Sequence, residues 1–218
     1  MKDILTFLRA LRKNNNKEWF DANRKKYEDV REQFIDTLQH LILEVGKFEP
    51  GIGNLRPKDC MFRINRDIRF TNDKRPYKEN FGAVISRGGK KSPFGVYYIH
   101  IQPGNESIVA GGIYMPETDV LKKIRQEIDY NPKPLLAFMK SKAFKQYFGE
   151  FSEDKLKRTP QGYAEDHPNA ELLKYKSYIV VRGFTDKEVQ DKNFLKEVMK
   201  SFRAMKPLND YLNTALDG

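Results

Sequence analysis

Residues 95–114, GVYYIHIQPGNESIVAGGIY, decide the fold. Tyr97, Ile99 and Ile101 recur at every second position, the spacing of a strand with one buried face. Pro103, Gly104 and Asn105 supply turn chemistry, and a second apolar run follows at Ser107–Tyr114. Two strands joined by so short a connection pair as antiparallel neighbours, because a parallel crossover needs a dozen or more residues. Phe81–Ser86 lies before them and Ser177–Val181 well after. RGGKKSPFG, residues 87–95, joins Phe81–Ser86 to Gly95–Gln102 as a basic hairpin loop. Further back, Phe62, Ile64, Ile68 and Phe70 share one parity, which makes Met61–Phe70 a fifth strand candidate. Arg66 interrupts its apolar face, so a break or bulge is expected there.

Outside this central stretch the period changes from two to about 3.6. Ile4, Leu5, Leu8 and Leu11 fit a short amphipathic helix over 3–12. Asn15 followed by Glu18 fits a capping box that opens a long helix over about 16–48, with Gly51 and Gly53 just beyond its end. Helical patterns return at Glu117–Tyr130, Pro134–Phe148, Asn169–Lys174 and Asn193–Leu216. The reading is an α+β fold: one domain over 1–218, with a mainly antiparallel sheet of about five strands in the central part, covered by N-terminal and C-terminal helices.

The chain of 218 residues carries a net charge of +10. That charge is local. Residues 51–100 hold 11 basic and 4 acidic groups, whereas each of the other three stretches, 1–50, 101–150 and 151–218, has an excess of one. A confined positive region creates a potential that attracts anions. No run approaches the roughly 18 apolar residues of a membrane-spanning helix, so no membrane partner is expected. Met1-Lys2-Asp3 leads into a helix rather than an apolar leader, and the one cysteine, Cys60, cannot form an internal disulfide; both point to the cytoplasm. His40, His100 and His167 are scattered, no grouping has metal-ligand spacing, and no motif calls for a cofactor.

Within the basic region, RDIRFTNDKRPYK (66–78) concentrates the charge. Thr71-Asn72-Asp73 supplies turn formers and Pro76 holds Arg75 extended. From Arg63 to Glu79 there are six basic and three acidic side chains. Pairing inside the segment therefore leaves about three cations for other acidic groups, water or a ligand. Arg63, Arg66, Arg69, Lys74 and Lys78 form the expected ligand-binding set, with Tyr77 available to stack; the ligand expected is a phosphate-bearing small molecule or nucleic acid. In the alternative of a phosphoester-processing enzyme, Asp67 or Asp73 is the candidate general base. A third reading makes the charges an ion-pair lattice in a structural or protein-interaction domain. LKRTPQGY (156–163) is a second basic turn, and packed against the first it would add Lys157 and Arg158 to one cleft.

Four ordered stretches, FLRALRKNNNKEWFDANRKKYEDV (7–30), FRINRDIRFTNDKRPYKENFGA (62–83), YYIHIQPGNESIVAGGIYMPE (97–117) and LKRTPQGYAEDHPNAELLKYKSY (156–178), resemble the signature blocks of domain of unknown function 2461, an uncharacterised bacterial and fungal family. The resemblance spans essentially the whole chain and implies a single domain. Its strongest positions here are Trp19, Phe20, Arg63, Arg66, Asp67, Arg69, Phe70, Asp73, Lys74, Pro76, Tyr77 and Lys78. It implies no particular activity.

Overall fold

The computed structural model describes residues 1–52, 54–151 and 154–217, so Gly53 lies outside the described residues. Four of the period-two stretches form strands: β1 (Phe81–Ile85), β2 (Val96–Ile101), β3 (Ser107–Ile113) and β4 (Tyr178–Phe184). They make a four-stranded antiparallel sheet in the order β1-β2-β3-β4. The fifth candidate, Met61–Phe70, is not a strand. Only Met61 and Asn65 make bridges, to Ala83 and Tyr77. Stepping four residues from Met61 to Asn65 takes the partner back six, from Ala83 to Tyr77, so the facing arm bulges at Glu79–Asn80. The interruption expected at Arg66 thus falls in the opposite arm, where two extra residues break the ladder.

Tertiary contacts gather the chain into two compact units. The first comprises Met1–Lys90, Tyr98–Val109 and Gly183–Met199. It contains α1 (Lys2–Lys13), α2 (Lys17–Ala22), α3 (Arg24–Gly46), the one-turn α4 (Pro57–Cys60) and α9 (Asp186–Gln190). Ile4, Leu5, Leu8 and Leu11 of α1 are fully buried, as are Phe34, Leu38, Leu41 and Val45 of α3. Phe34 stacks on Phe81 of β1, with ring centroids 5.4 Å apart. The expected long helix is in fact two, α2 and α3, separated at Asn23, whose ψ of 17° leaves the helical range and whose side chain donates to Trp19 O. Asn16, one residue later than expected, is the N-cap of α2: its side chain accepts from Trp19 N at 2.9 Å. Asn15 is used elsewhere, as described below.

The second unit comprises Lys91–Tyr97, Ala110–Arg182 and Lys200–Gly218. Here α5 (Thr118–Tyr130), α6 (Lys133–Lys140), α7 (Lys142–Tyr147) and α8 (Ala170–Leu173) lie between β3 and β4 in sequence. The pattern read as one helix over 134–148 divides at Ser141, which is extended and caps α7 by accepting from Phe144 N at 3.1 Å. Phe138, Phe144, Phe151, Tyr175 and Tyr178 form a run of touching rings through the core of this unit. The final helix, α10, spans Phe194–Asp217. Gly112 is required by backbone geometry: its φ is +112°, and a Cβ there would fall 1.9 Å from Tyr178 O. Among the described residues no helix is long and apolar enough to cross a membrane.

Candidate functional site

The basic segment has a base and a tip. At the base, residues 61–66 run antiparallel to 76–83. Lys78 N donates to Ile64 O at 2.8 Å and Arg66 N to Pro76 O at 2.9 Å. Asn65 and Tyr77 lie between these bonds as a non-hydrogen-bonded pair, which turns the amide and carbonyl of Tyr77 outward. Asn15 meets both of them. Its Nδ2 donates to Tyr77 O at 3.0 Å, and its Oδ1 accepts from Tyr77 N at 3.1 Å. One side chain thereby replaces an adjoining strand, which is why Asn15 is not a helix cap. The Tyr77 ring is buried, stacked on Phe20 at 4.0 Å and 13°. Tyr77, expected to be open for stacking, is a core residue holding the base to α2, and its ring is not available to a ligand.

The tip, residues 67–75, is held mainly by its own side chains, with Arg66 and Glu79 at its edges. Asp67 and Asp73 each accept the backbone N–H of the arginine two residues on, at 3.2 and 3.1 Å. Each also grips that arginine's guanidinium through two nitrogens: Arg69 at 3.0 and 2.7 Å, and Arg75 at 3.0 and 2.7 Å. Asp73 takes a second arginine, Arg66, at 2.6 Å. Hydrogen bonds from these guanidinium groups hold Asp67 below the usual carboxylate range and Asp73 far below it. A carboxylate held so strongly as an anion is a poor general base near neutrality. The Asp-x-Arg spacing occurs twice within the basic segment, at 67–69 and 73–75, and was the signal for this pairing.

Three cations of the segment have no carboxylate partner among the described residues: Arg63, Lys74 and Lys78. Lys74 Nζ donates to Ile68 O at 3.1 Å. Lys78 Nζ stands 5.3 Å from the centroid of Phe62. Burial, and then the neighbouring charge of Arg63, lower its pKa. Phe70 does not continue the apolar face of Phe62 and Ile64. The Asp67 turn ends the alternation, and Phe70 is 91 % exposed at the tip with the Arg69 guanidinium 5.4 Å over its ring.

A polar chain that sequence reasoning passed over leads away from the base. Phe62 meets Tyr98 edge-on at 6.4 Å. Tyr98 Oη lies 2.9 Å from His100 Nδ1, and His100 Nε2 lies 2.8 Å from Gln102 Oε1. A carboxamide oxygen only accepts, so Nε2 carries the proton and Nδ1 accepts from Tyr98. Gln102 donates in turn to Glu106, which Arg12 holds at 3.1 and 3.0 Å. Arg12 also reaches Glu79 at 2.7 Å, and Glu79 pairs with Arg75. Burial lowers the His100 pKa and pushes the Tyr98 phenol up to about 12, so both are neutral at pH 7. The signal was present in YYIHIQ: Tyr98, His100 and Gln102 share the parity opposite to Tyr97, Ile99 and Ile101.

Lys157 and Arg158 belong to the second unit, where both are exposed. Their turn is tied down at Leu156, whose N–H donates to Lys174 O at 2.8 Å, and at Lys155, whose Nζ lies 4.4 Å from the Tyr175 ring centre. In the same unit His167 Nε2 donates to Asp129 at 3.0 Å while its Nδ1 accepts from Asn169 N at 3.0 Å. Among the described residues no three His, Cys, Asp or Glu side chains gather as a metal would require. Cys60 is buried and its thiol is pushed up to about 11, chiefly by desolvation.

An antiparallel α+β protein with a self-braced, aromatic-tipped basic loop is the class that fold and site define. Over residues 3–211 the sequence matches the conserved hypothetical protein family DUF2461, and the chain belongs to that family. No curated protein and no solved structure matches it.

Proposed function

We propose that this protein binds a phosphate-bearing ligand, a nucleotide or nucleic acid, through Arg63, Lys74 and Lys78. One observation carries the reading: the segment pairs Arg66, Arg69 and Arg75 with its own carboxylates and leaves these three cations without one among the described residues. Lys78 is the most telling of them. A half-buried ammonium beside a guanidinium is unfavourable alone, and an anion bridging the two relieves both the desolvation and the repulsion. Arg66 and Arg69, expected among the ligand groups, serve to brace the loop. Lys157 and Arg158 stay as outlying candidates. A lone buried cysteine supports a cytoplasmic setting.

The test is thermal denaturation with pyrophosphate and ATP at 50 and 300 mM salt. The melting temperature should rise with ligand, more at low salt, and the rise should vanish in the triple variant Arg63→Ala, Lys74→Ala, Lys78→Ala. A triple variant stabilised as much as the parent overturns the reading.

Phosphoester chemistry in the same site is a second reading, favoured by the Tyr98–His100 hydrogen bond at 2.9 Å. With Asp67 and Asp73 committed to arginines, this neutral pair is the acid–base equipment beside Phe62 and Lys78. It requires release of p-nitrophenol from p-nitrophenyl phosphate or its diester that His100→Gln abolishes. No release by the parent protein counts against it.

A further inference from the structure

Phe70 is the residue the anion site leaves unexplained. Burying a phenylalanine side chain is favourable, yet this one is 91 % exposed. It is also presented rather than loose. The guanidinium lying over its ring is held by Asp67 at 3.0 and 2.7 Å, and the same carboxylate closes the turn through Arg69 N at 3.2 Å. Lys74, reaching back to Ile68 O at 3.1 Å, sets a cation two residues along the backbone from that ring. Arg66 is the last paired residue of the base. From there to Phe70 the backbone spans at most about 14 Å, a few nucleotides of a stacked strand at about 3.4 Å each.

We propose that this loop binds single-stranded nucleic acid, with Phe70 stacking on a base while Lys74, Arg63 and Lys78 contact successive phosphates. The proposal rests on the anion-binding reading above and adds the ligand's class. Three features favour a strand. A mononucleotide site encloses its ligand, burying about 70–90 % of it, whereas Phe70 stands at an open tip. A duplex keeps its base faces stacked inside and offers none to a protruding ring. Residues 62–80 also contain no helix that could enter a major groove. Because every base has a π-face, such a site tolerates most sequences.

The experiment is fluorescence anisotropy of the full chain with labelled oligo-dT and with a duplex of equal length, from 50 to 200 mM KCl. The parent should prefer the single strand, with a log–log salt slope near −2 for three phosphates. Phe70→Ala should weaken oligo-dT binding by about 5- to 150-fold, the range measured for one base–aromatic stack, and leave the slope and the melting temperature unchanged. Phe70→Trp in a Trp19→Phe background should restore binding and show quenched indole emission. Undiminished binding by Phe70→Ala, or equal affinity for duplex and single strand, overturns the stacking while the anion site stands. Stabilisation by ATP without oligo-dT binding replaces the strand by a mononucleotide. A triple cation variant that keeps both the affinity and the slope overturns the anion site itself.

Discussion

The base and the tip of the basic segment use the same residue types to opposite ends. At the base, the partners come from far along the chain: Asn15 from 62 residues away, Phe20 through its ring, and Arg12 through Glu79. At the tip the contacts are short-range, each aspartate with the arginine two residues on, Asp73 also with Arg66 and Arg75 also with Glu79, and the Asp67–Arg69 pair is exposed. Long-range contacts that bury polar groups stabilise the whole fold, whereas exposed local pairs contribute little because solvent screens them. The difference teaches that the base is tied into the fold, whereas the tip holds its shape through its own short-range pairs. Lys78 stands where the two meet, buried enough to be disfavoured and close enough to Arg63 to be repelled.

The contrast can be broken by experiment. Phe20→Ala removes the ring on which Tyr77 lies, and urea denaturation should show a loss of about 3–5 kcal/mol. Phe20→Leu should lose less. A Phe20→Ala protein as stable as the parent would mean that the base is not docked as described. Asn15→Ala strands the amide and carbonyl of Tyr77, and should cost about 2 kcal/mol. Asn15→Asp keeps the acceptor and should recover part of it.

The pH dependence sharpens the comparison. His100 is buried neutral, so its folded pKa lies below its unfolded value of about 6.5. Its contribution is present above that value and is lost as pH falls through it, because only the unfolded state takes up the proton there. The melting temperature should therefore decline as pH falls below about 6.5, and His100→Gln should flatten that decline. Asp73 acts lower down. Its folded pKa is depressed by Arg75 and Arg66, so its contribution is present above about 3.9 and is lost as pH falls further. Asp73→Asn should remove part of that acid limb. The smallest effect belongs to the tip: Arg69→Ala should leave the melting temperature unchanged, and a large drop would show that the tip is structural after all.

Much of this was legible in advance because it depends on local spacing. The alternation of Tyr97, Ile99 and Ile101 marked β2, the turn at Pro103–Asn105 marked its hairpin with β3, and residues 81–86 marked β1. Charge arithmetic over 63–79 showed that about three cations would lack partners. What could not be read was which three. Arg66 and Arg69 were candidates for the ligand alongside Arg63, Lys74 and Lys78, yet they turn to Asp73 and Asp67. The strand expected at 61–70 failed for a related reason: the Asp67 turn competes locally with strand pairing, and alternation alone does not register a side chain bonding its own backbone.

The sequence by itself determined the helical and strand periods, the concentration of positive charge and the excess of cations over carboxylates, because these are properties of neighbours along the chain. The tertiary structure decided everything that depends on partners distant in sequence. It placed Asn15 beside Tyr77 instead of at a helix cap, buried the tyrosine that looked open, exposed the phenylalanine that looked buried, and joined Tyr98 and His100 through Gln102 and Glu106 to Arg12. The physical reason is that a side chain's environment is fixed by whichever surface comes to lie against it, and spacing along one chain does not contain that surface.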